Sequence, residues 1–473
     1  MIWIIPLLLA GAVIFIFVGA RRAASETNRQ ESERVDAAWR AAAERLHSTL
    51  TFTTAQGIKS QAIDVERGHW KIHLETPFEH KGLFTRFVVS GPASFPAGLR
   101  IWRGTDSAIK ESRLVTGDES FDAKVHMGGD AVPVMAIMDH ETRQLLENGL
   151  WVAHRFDRVE DGNVVLELAC QLADSAEIVE RAQWLETLAE RLRDPGAETP
   201  RRLAANAASD PIAGVRLANL IALQQAVFWA EIAGAASRVA LADPAPEVRL
   251  AGALALGVEG FTTLSKLAAA GQGVAAGIRV EALHQLVQRA PRETVIPVLD
   301  VVLHEAFWDV RREAVHAAGT LRHTGAVPLL LARLDPNDPP VAAVVAAALG
   351  EIGDPRAEPA LVEILRSTHA DAATAAAHAL GLMGSVAAVQ PLVDRIDVAA
   401  TTAWVKVAAR EAIAAIQARQ IGADDGQLSL SDAADPAGTL TLADETKGGQ
   451  VSLPEGSPSG AEAERPSISD VEP

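Results

Sequence analysis

Three groups of residues in this 473-residue chain have side chains that could do chemistry. His69 and His73 stand four apart with His80 close behind, and imidazoles that converge can hold a transition metal. The residues around them alternate apolar and polar, so they are expected on a strand, facing solvent, where a spacing of four rarely converges. Asp118, Asp122 and Asp130 offer carboxylates to a hard cation, but spacings of 4 and 8 with one glycine pair do not match a calcium loop. Cys170 is the single cysteine, which excludes an internal disulfide; lying in the apolar run Val164 to Leu172, it is expected as a small core residue. His316 and His323 are expected on a helix surface or in a turn. No phosphate-binding glycine loop, nucleophile elbow, His-Glu-x-x-His or Cys-x-x-Cys occurs. The sequence therefore predicts no catalytic, cofactor-binding or metal-binding residue and a protein that is not an enzyme.

A fourth group repeats. A β-branched residue followed by arginine occurs as Val215-Arg216, Val248-Arg249, Ile278-Arg279 and Val310-Arg311, spaced 33, 30 and 32, with Val405-Lys406 as a weaker last copy. Two readings are open for Arg216, Arg249, Arg279 and Arg311. Each bridges to an aspartate of the adjacent unit, or together they form a ladder that reads acidic peptides or phosphates. Gly257, Gly319, Gly350 and Gly381 lie 62, 31 and 31 apart, with Gln288 at the skipped position. Each closes an apolar, alanine-rich run. Thirty-one residues hold two helices of about 11 to 12 residues and two tight turns, so each unit is a helical hairpin. A lone hairpin cannot cover its own apolar side, so the units must stack, giving an α-solenoid of about six or seven units over residues 195–420.

The words Asp243-Pro244, Val248-Arg249, Ala253, Ala255 and Leu256-Gly257, with Gly350-Glu351-Ile352-Gly353-Asp354-Pro355 and Gly384 in later copies, resemble the short HEAT-like repeats of bacterial proteins, of the type also seen in phycobilisome lyase subunits. The resemblance covers about 220 residues. It implies a concave surface for a protein partner rather than chemistry, with an accessory or chromophore-lyase-like role as the alternative. Val341 to Leu349 and Ala372 to Leu380 depart from the pattern, lacking the arginine, which implies a different face chemistry there.

Ile2 to Ala20 carries no charge, and nineteen residues at ~1.5 Å each span about 28 Å, close to a bilayer core. The basic pair Arg21-Arg22 follows the apolar run rather than preceding it, which favours an anchor over a cleaved secretory signal despite the small residues Val18-Gly19-Ala20. The positive flank stays inside, so the expected topology is a single-pass inner-membrane protein, N-out and C-in, with the soluble part cytoplasmic. Formal charge is −18, which argues against nucleic acid as a partner. Half of it lies in residues 421–473, where eleven acids stand against Lys447 and Arg465.

That tail, rich in Gly, Ser, Pro, Asp and Glu and without aromatic residues, is expected to be disordered. It holds three copies of a short word, with Leu428 and Leu430, Leu440 and Leu442, and Val451 and Leu453 flanking a hydroxyl residue. Each copy suits an extended strand that adds to another protein's sheet edge, or is linker drift.

Between anchor and solenoid, residues 23–50 read as a polar stalk helix with Val35, Trp39 and Leu46 near one face. Residues 51–194 read as an α+β domain with an antiparallel sheet. Strands are expected at Gln61 to Val65, Trp70 to Glu75, Thr85 to Ser90, Leu99 to Arg103, Trp151 to Asp157 and Asn163 to Ala169, and helices at Asp130 to Asn148 and Ser175 to Arg193. Within it, Thr116-Gly117-Asp118-Glu119-Ser120-Phe121-Asp122 is similar to a Thr-Gly-Asp-x-x-Phe-Asp segment of membrane-linked bacterial domains that sometimes precede repeat arrays. That likeness implies no catalytic role. Gly117 and Asp118 suit a turn, Phe121 a core anchor and Asp122 a cap.

The whole predicts a multidomain chain of anchor (residues 1–22), stalk, α+β domain, HEAT-like solenoid and acidic tail. It predicts a membrane-tethered cytosolic scaffold that binds protein on the solenoid groove, with no cofactor. The alternative to an accessory enzyme is a regulatory protein that senses a ligand through the α+β domain.

Overall fold

In the computed structural model, which describes residues 29–55, 58–77, 84–91, 95–103, 113–149, 154–160, 162–420, 428–430 and 440–442, the chain divides into two compact units between Ala317 and Ala318. The expected anchor Ile2 to Ala20 lies outside the described residues, as does most of the tail. Among the described residues no single helix is long and apolar enough to cross a membrane.

The first unit opens with helix α1 (residues 29–45) and a sheet of strands β1 (Leu50–Ala55), β2 (Ile58–Arg67), β3 (Trp70–Glu75), β4 (Thr85–Ser90), β5 (Arg100–Arg103), β6 (Val125–Gly128), β7 (His154–Glu160) and β8 (Asn163–Leu168). The order is β1-β2-β3-β4-β8-β7-β5-β6, antiparallel throughout. Period-two patterning decides the faces: Trp70, Ile72 and Leu74 with Phe87, Val89, Val164, Leu166 and Leu168 are buried, while His73, Arg86 and Glu167 alternate with them on the other side. β1 was not expected from the sequence. Its residues 51–54 are all exposed, and its alternation, Leu50-Thr51-Phe52-Thr53, is only four residues long.

Helix α2 (Glu119–Asp122) leads into β6. The single helix expected from Asp130 to Asn148 is two, α3 (Ala131–Ile137) and α4 (His140–Gly149). They separate because the Asp139 carboxylate accepts the Thr142 amide at 2.8 Å and starts a new helix. α5 (Ser175–Arg191) covers the sheet, where the Trp70 indole donates to Glu190 at 3.1 Å.

α1 corrects the stalk expectation. Val35, Trp39, Ala42, Ala43 and Leu46 are buried in the same core as Ile63, Phe87 and Leu185, and the Trp39 indole donates to the Leu172 carbonyl at 3.1 Å. Burying Trp39 and its apolar row on the sheet is favourable by several kcal/mol, at roughly 25 cal/mol per Å² of apolar surface, and a helix standing clear would forgo it.

Helices then follow in pairs: α6 (Thr199–Ser209) with α7 (Ala213–Gln225), α8 (Ala230–Ala240) with α9 (Pro246–Leu256), and α10 (Phe261–Ala268) with α11 (Ala276–Arg289). α12 (Arg292–Val302) and α13 (Trp308–Thr320) come next. The second unit pairs α14 (Val327–Arg333) with α15 (Pro339–Ile352), α16 (Glu358–Leu365) with α17 (Ala370–Met383), and α18 (Val389–Asp397) with α19 (Ala403–Gln420). There α15 packs on α17 and α17 on α19, as in a stack of hairpins.

The 31-residue glycines mark where successive helices touch. A Cβ on Gly350 would stand 2.6 Å from Cα and Cβ of Ala379, and one on Gly381 would stand 3.0 Å from Cα of Ala412. Only the absence of a side chain lets those backbones approach so closely. Gly257 differs from these. It has open space around it and a φ of +56°, so it serves as a helix C-cap that L residues rarely adopt.

Candidate functional site

The arginines of the repeated words turn inward. Arg216 binds both carboxylate oxygens of Asp243, Nε at 2.7 Å and Nη2 at 2.8 Å, and its Nη1 donates to the carbonyls of Asp210 at 2.8 Å and Pro211 at 3.3 Å. Arg279, fully buried, pairs with Glu305 and reaches the Ala268 carbonyl at 3.4 Å. Arg249 and Arg311 hold the turns that lead into their own helices, donating to Asp243 O at 2.7 Å and to Glu305 O at 2.6 Å. The residues 26 and 27 beyond Arg249 are Ala275 and Ala276, so the carboxylate that meets Arg216 and Arg279 has no counterpart there. Burial would raise the Asp243 carboxyl, but hydrogen bonds from Arg216 and from the Ala245 amide, with the Arg216 and Arg249 charges, hold it below its ordinary range. Glu305 is lowered in the same direction by its bond to Arg279.

The Thr-Gly-Asp segment forms a joint between sheet and repeats within the first unit. Asp122 accepts from the amides of Thr116 and Gly117 at 3.0 Å and from the Thr116 hydroxyl at 3.0 Å, closing the loop, while Phe121 is fully buried. Gly117, at φ +91°, lies against Gly214 at the start of α7; a Cβ on it would meet the Gly214 carbonyl oxygen at 2.3 Å. Asp118 caps α2 and accepts from Arg143 Nε at 3.2 Å. Arg143, 1% exposed, also binds both oxygens of Asp210, at 2.9 and 3.0 Å, and the Met138 carbonyl at 2.8 Å. Burial would lower its pKa, but the bonds and charges of Asp210 and Asp118 outweigh that and raise it. The expected division at 194/195 is therefore bridged by a buried ion pair. Asp130 caps α3 through the Val132 amide.

The other candidates do not assemble into a site. His73 lies on the open face of β3, its Nδ1 2.7 Å from Asp64, and His69 sits in the β2–β3 turn; His80 lies outside the described residues. Burial lowers His73, but Asp64 and Glu75 together raise it above its ordinary value. Among the described residues no three His, Cys, Asp or Glu side chains are placed to hold a metal ion. Cys170 corrects the core expectation: it is exposed just past the end of β8, where the buried alternation stops. His316 is on a helix surface and His323 is in a turn, as expected, the latter buried.

In the second unit an open groove of about 700 Å³ runs along α15, α17 and α19. Its lining combines the small side chains of Ala347, Ala375 and Ala379 with Leu382, 61% exposed, and Trp404, 78% exposed. Glu351, Asp371, Thr374 and His378 supply its polar groups. These helices are the two that lack the arginine and the last. Ala342 and Ala373, 31 and 62 residues beyond Arg311, are fully buried where an arginine would otherwise stand. Trp404 was missed by sequence reasoning; its signal is an indole in the first turn of a helix, between Thr401-Thr402 and Lys406, in a chain only 4% aromatic.

In the tail, the first two copies of the short word are strands, β9 (Leu428–Leu430) and β10 (Leu440–Leu442), which pair antiparallel with each other, Leu430 opposite Leu440 and Leu428 opposite Leu442. The third copy, with Val451 and Leu453, lies outside the described residues.

The family model of HEAT repeats matches residues 267–349 and 330–414, so HEAT repeats are present over α11 to α19. The crystal structure of YibA of Escherichia coli is similar at 18% identity and a TM-score of 0.34, covering 40% of this chain and 69% of that one. No curated protein matches the chain.

Proposed function

We propose that this protein is a membrane-tethered adaptor that holds a protein partner on the helical-repeat surface of its second unit and performs no catalysis. The observation that carries the reading is the groove of α15, α17 and α19, where a tryptophan and a leucine stand in solvent within one concavity. HEAT repeats generally serve protein interaction, and exposed apolar side chains gathered in one concavity are typical of binding surfaces. The arginines are assigned to holding hairpins together, because their donors already meet carbonyls and carboxylates of their own and adjoining turns. Ile2 to Ala20 would supply the tether, with Arg21-Arg22 keeping the rest on the cytoplasmic side.

Affinity capture from cells with the full chain, beside a Leu382→Ser/Trp404→Ala variant, tests the reading. A partner recovered with the wild type and lost with the variant is expected; identical partner sets would refute it. A reporter fused after Pro473 should be active only in the cytoplasm.

One observation favours a second reading, in which the sheet domain senses a ligand. A polar cleft of about 640 Å³, lined by Asp139, Glu186, Glu190, Arg191 and Arg202, lies next to the Arg143 joint. Ligand-dependent protection of α3, α5 and α6 from hydrogen exchange would support it.

A further inference from the structure

We infer that the groove of α15, α17 and α19 takes a cationic segment of the partner, a lysine or arginine beside an aliphatic side chain; this rests on the adaptor reading. The groove carries two carboxylates, Glu351 and Asp371, and neither has an ion-pair partner among the described residues. That sets them apart from the carboxylates that meet Arg216 and Arg279, which are engaged within the fold. Beside them Trp404 presents an exposed indole with no cation over it among the described residues. An indole face and two free carboxylates attract the same ligand charge, the first through its quadrupole and the second by Coulomb attraction.

The remaining lining fits the rest of such a side chain. Lysine and arginine lay their methylene stems along apolar surface while the charged head stays in water, and the alanine floor leaves room for a stem that larger side chains would fill. Leu382, exposed in the same groove, offers an apolar contact for a neighbouring aliphatic residue. The volume of about 700 Å³ holds several side chains, the size of an ordinary recognition pocket. A net charge of −18 steers cationic segments toward this protein and repels acidic ones, so an acidic peptide or a nucleic acid is the poorer occupant.

The test pans a random 12-residue peptide library on the full chain in detergent micelles and measures selected peptides by fluorescence anisotropy against wild type, Trp404→Ala and Glu351→Gln/Asp371→Asn. The expected result is enrichment of lysine or arginine next to leucine, isoleucine or valine. Affinity should fall roughly tenfold in the double charge variant, at least tenfold in Trp404→Ala, and further as salt rises from 50 to 500 mM. Both substitution sets lie on the exposed groove surface, and an unchanged melting temperature will show that the fold persists. Selected peptides that need Trp404 but are neutral or acidic, or that bind the double charge variant as tightly, overturn the cationic assignment and leave the adaptor reading standing. Failure to select any peptide that depends on Trp404 overturns both.

Discussion

Replacing Arg143 by methionine should loosen the joint between the sheet and the first repeat far more than a surface substitution would. Its guanidinium makes two charged hydrogen bonds to Asp210, a carboxylate whose side chain is 1% exposed. Without Arg143 that carboxylate keeps one hydrogen bond, from the Ile212 amide at 3.0 Å, and the charge of Arg216. Breaking a buried pair from one side costs about 3–5 kcal/mol, because the remaining charge has lost both its solvent and its paired ion. Charged hydrogen bonds at about 1.5–3 kcal/mol each give about 3–6 kcal/mol for two, which overlaps that range. The full chain need not unfold in one step, so hydrogen exchange read helix by helix is the suitable assay. Amides of α4, α6 and α7 should lose protection together by roughly two to three and a half decades, since each decade is about 1.4 kcal/mol. Asp210→Asn with Arg143→Met removes both charges, and the double variant should recover about 2 kcal/mol or more relative to the sum of the singles. A loss under about 1 kcal/mol, or additive singles, would refute the claim that this pair joins the two parts.

Gly350→Val should cost about 1–3 kcal/mol in thermal unfolding, because its new Cβ meets Ala379 at 2.6 Å, whereas Gly257→Ala should cost only about 1 kcal/mol from its φ of +56°; equal costs would remove the distinction between the two glycines. Asp243 is held below its unfolded value of 3.8, so its contribution is complete above that pH and disappears as acid protonates the folded carboxylate. Arg216→Met should therefore flatten the loss of stability below about pH 4, read from urea midpoints between pH 2 and 6, and an unchanged slope would contradict the pairing. Cys170, exposed in the folded protein, should be labelled fully by a maleimide without denaturant; protection until unfolding would return it to the core.

The repeat architecture was legible because stacking imposes a fixed spacing: Gly350, Gly381 and Arg216 fall where successive hairpins meet, while Gly257, Arg249 and Arg311 recur at the turns. The central strands were legible for a similar reason: burial on one face forces alternation at Trp70 to Glu75 and Thr85 to Ser90. β1 was not, since its alternation runs for only four residues and residues 51–54 face solvent. α1 was misread because Arg and Glu cover one side of a helix equally well in a stalk and on a core, and only Trp39 meeting Leu172, 133 residues away, separates the cases. The joint through Arg143 was hidden by distance also, its partner Asp210 lying 67 residues on. A partial signal existed. Asp210-Pro211 stands six residues before Arg216 just as Asp243-Pro244 stands six before Arg249, which marks Asp210 as the acid of a first repeat awaiting a cation.

The most direct test of the adaptor reading places a photo-crosslinking amino acid at position 382 and, separately, at position 249 of the full chain in living cells. One discrete protein adduct is expected from position 382, abolished by Trp404→Ala, and none from position 249. Adducts of equal yield from both positions, or an adduct at 382 that survives the loss of Trp404, would contradict that reading.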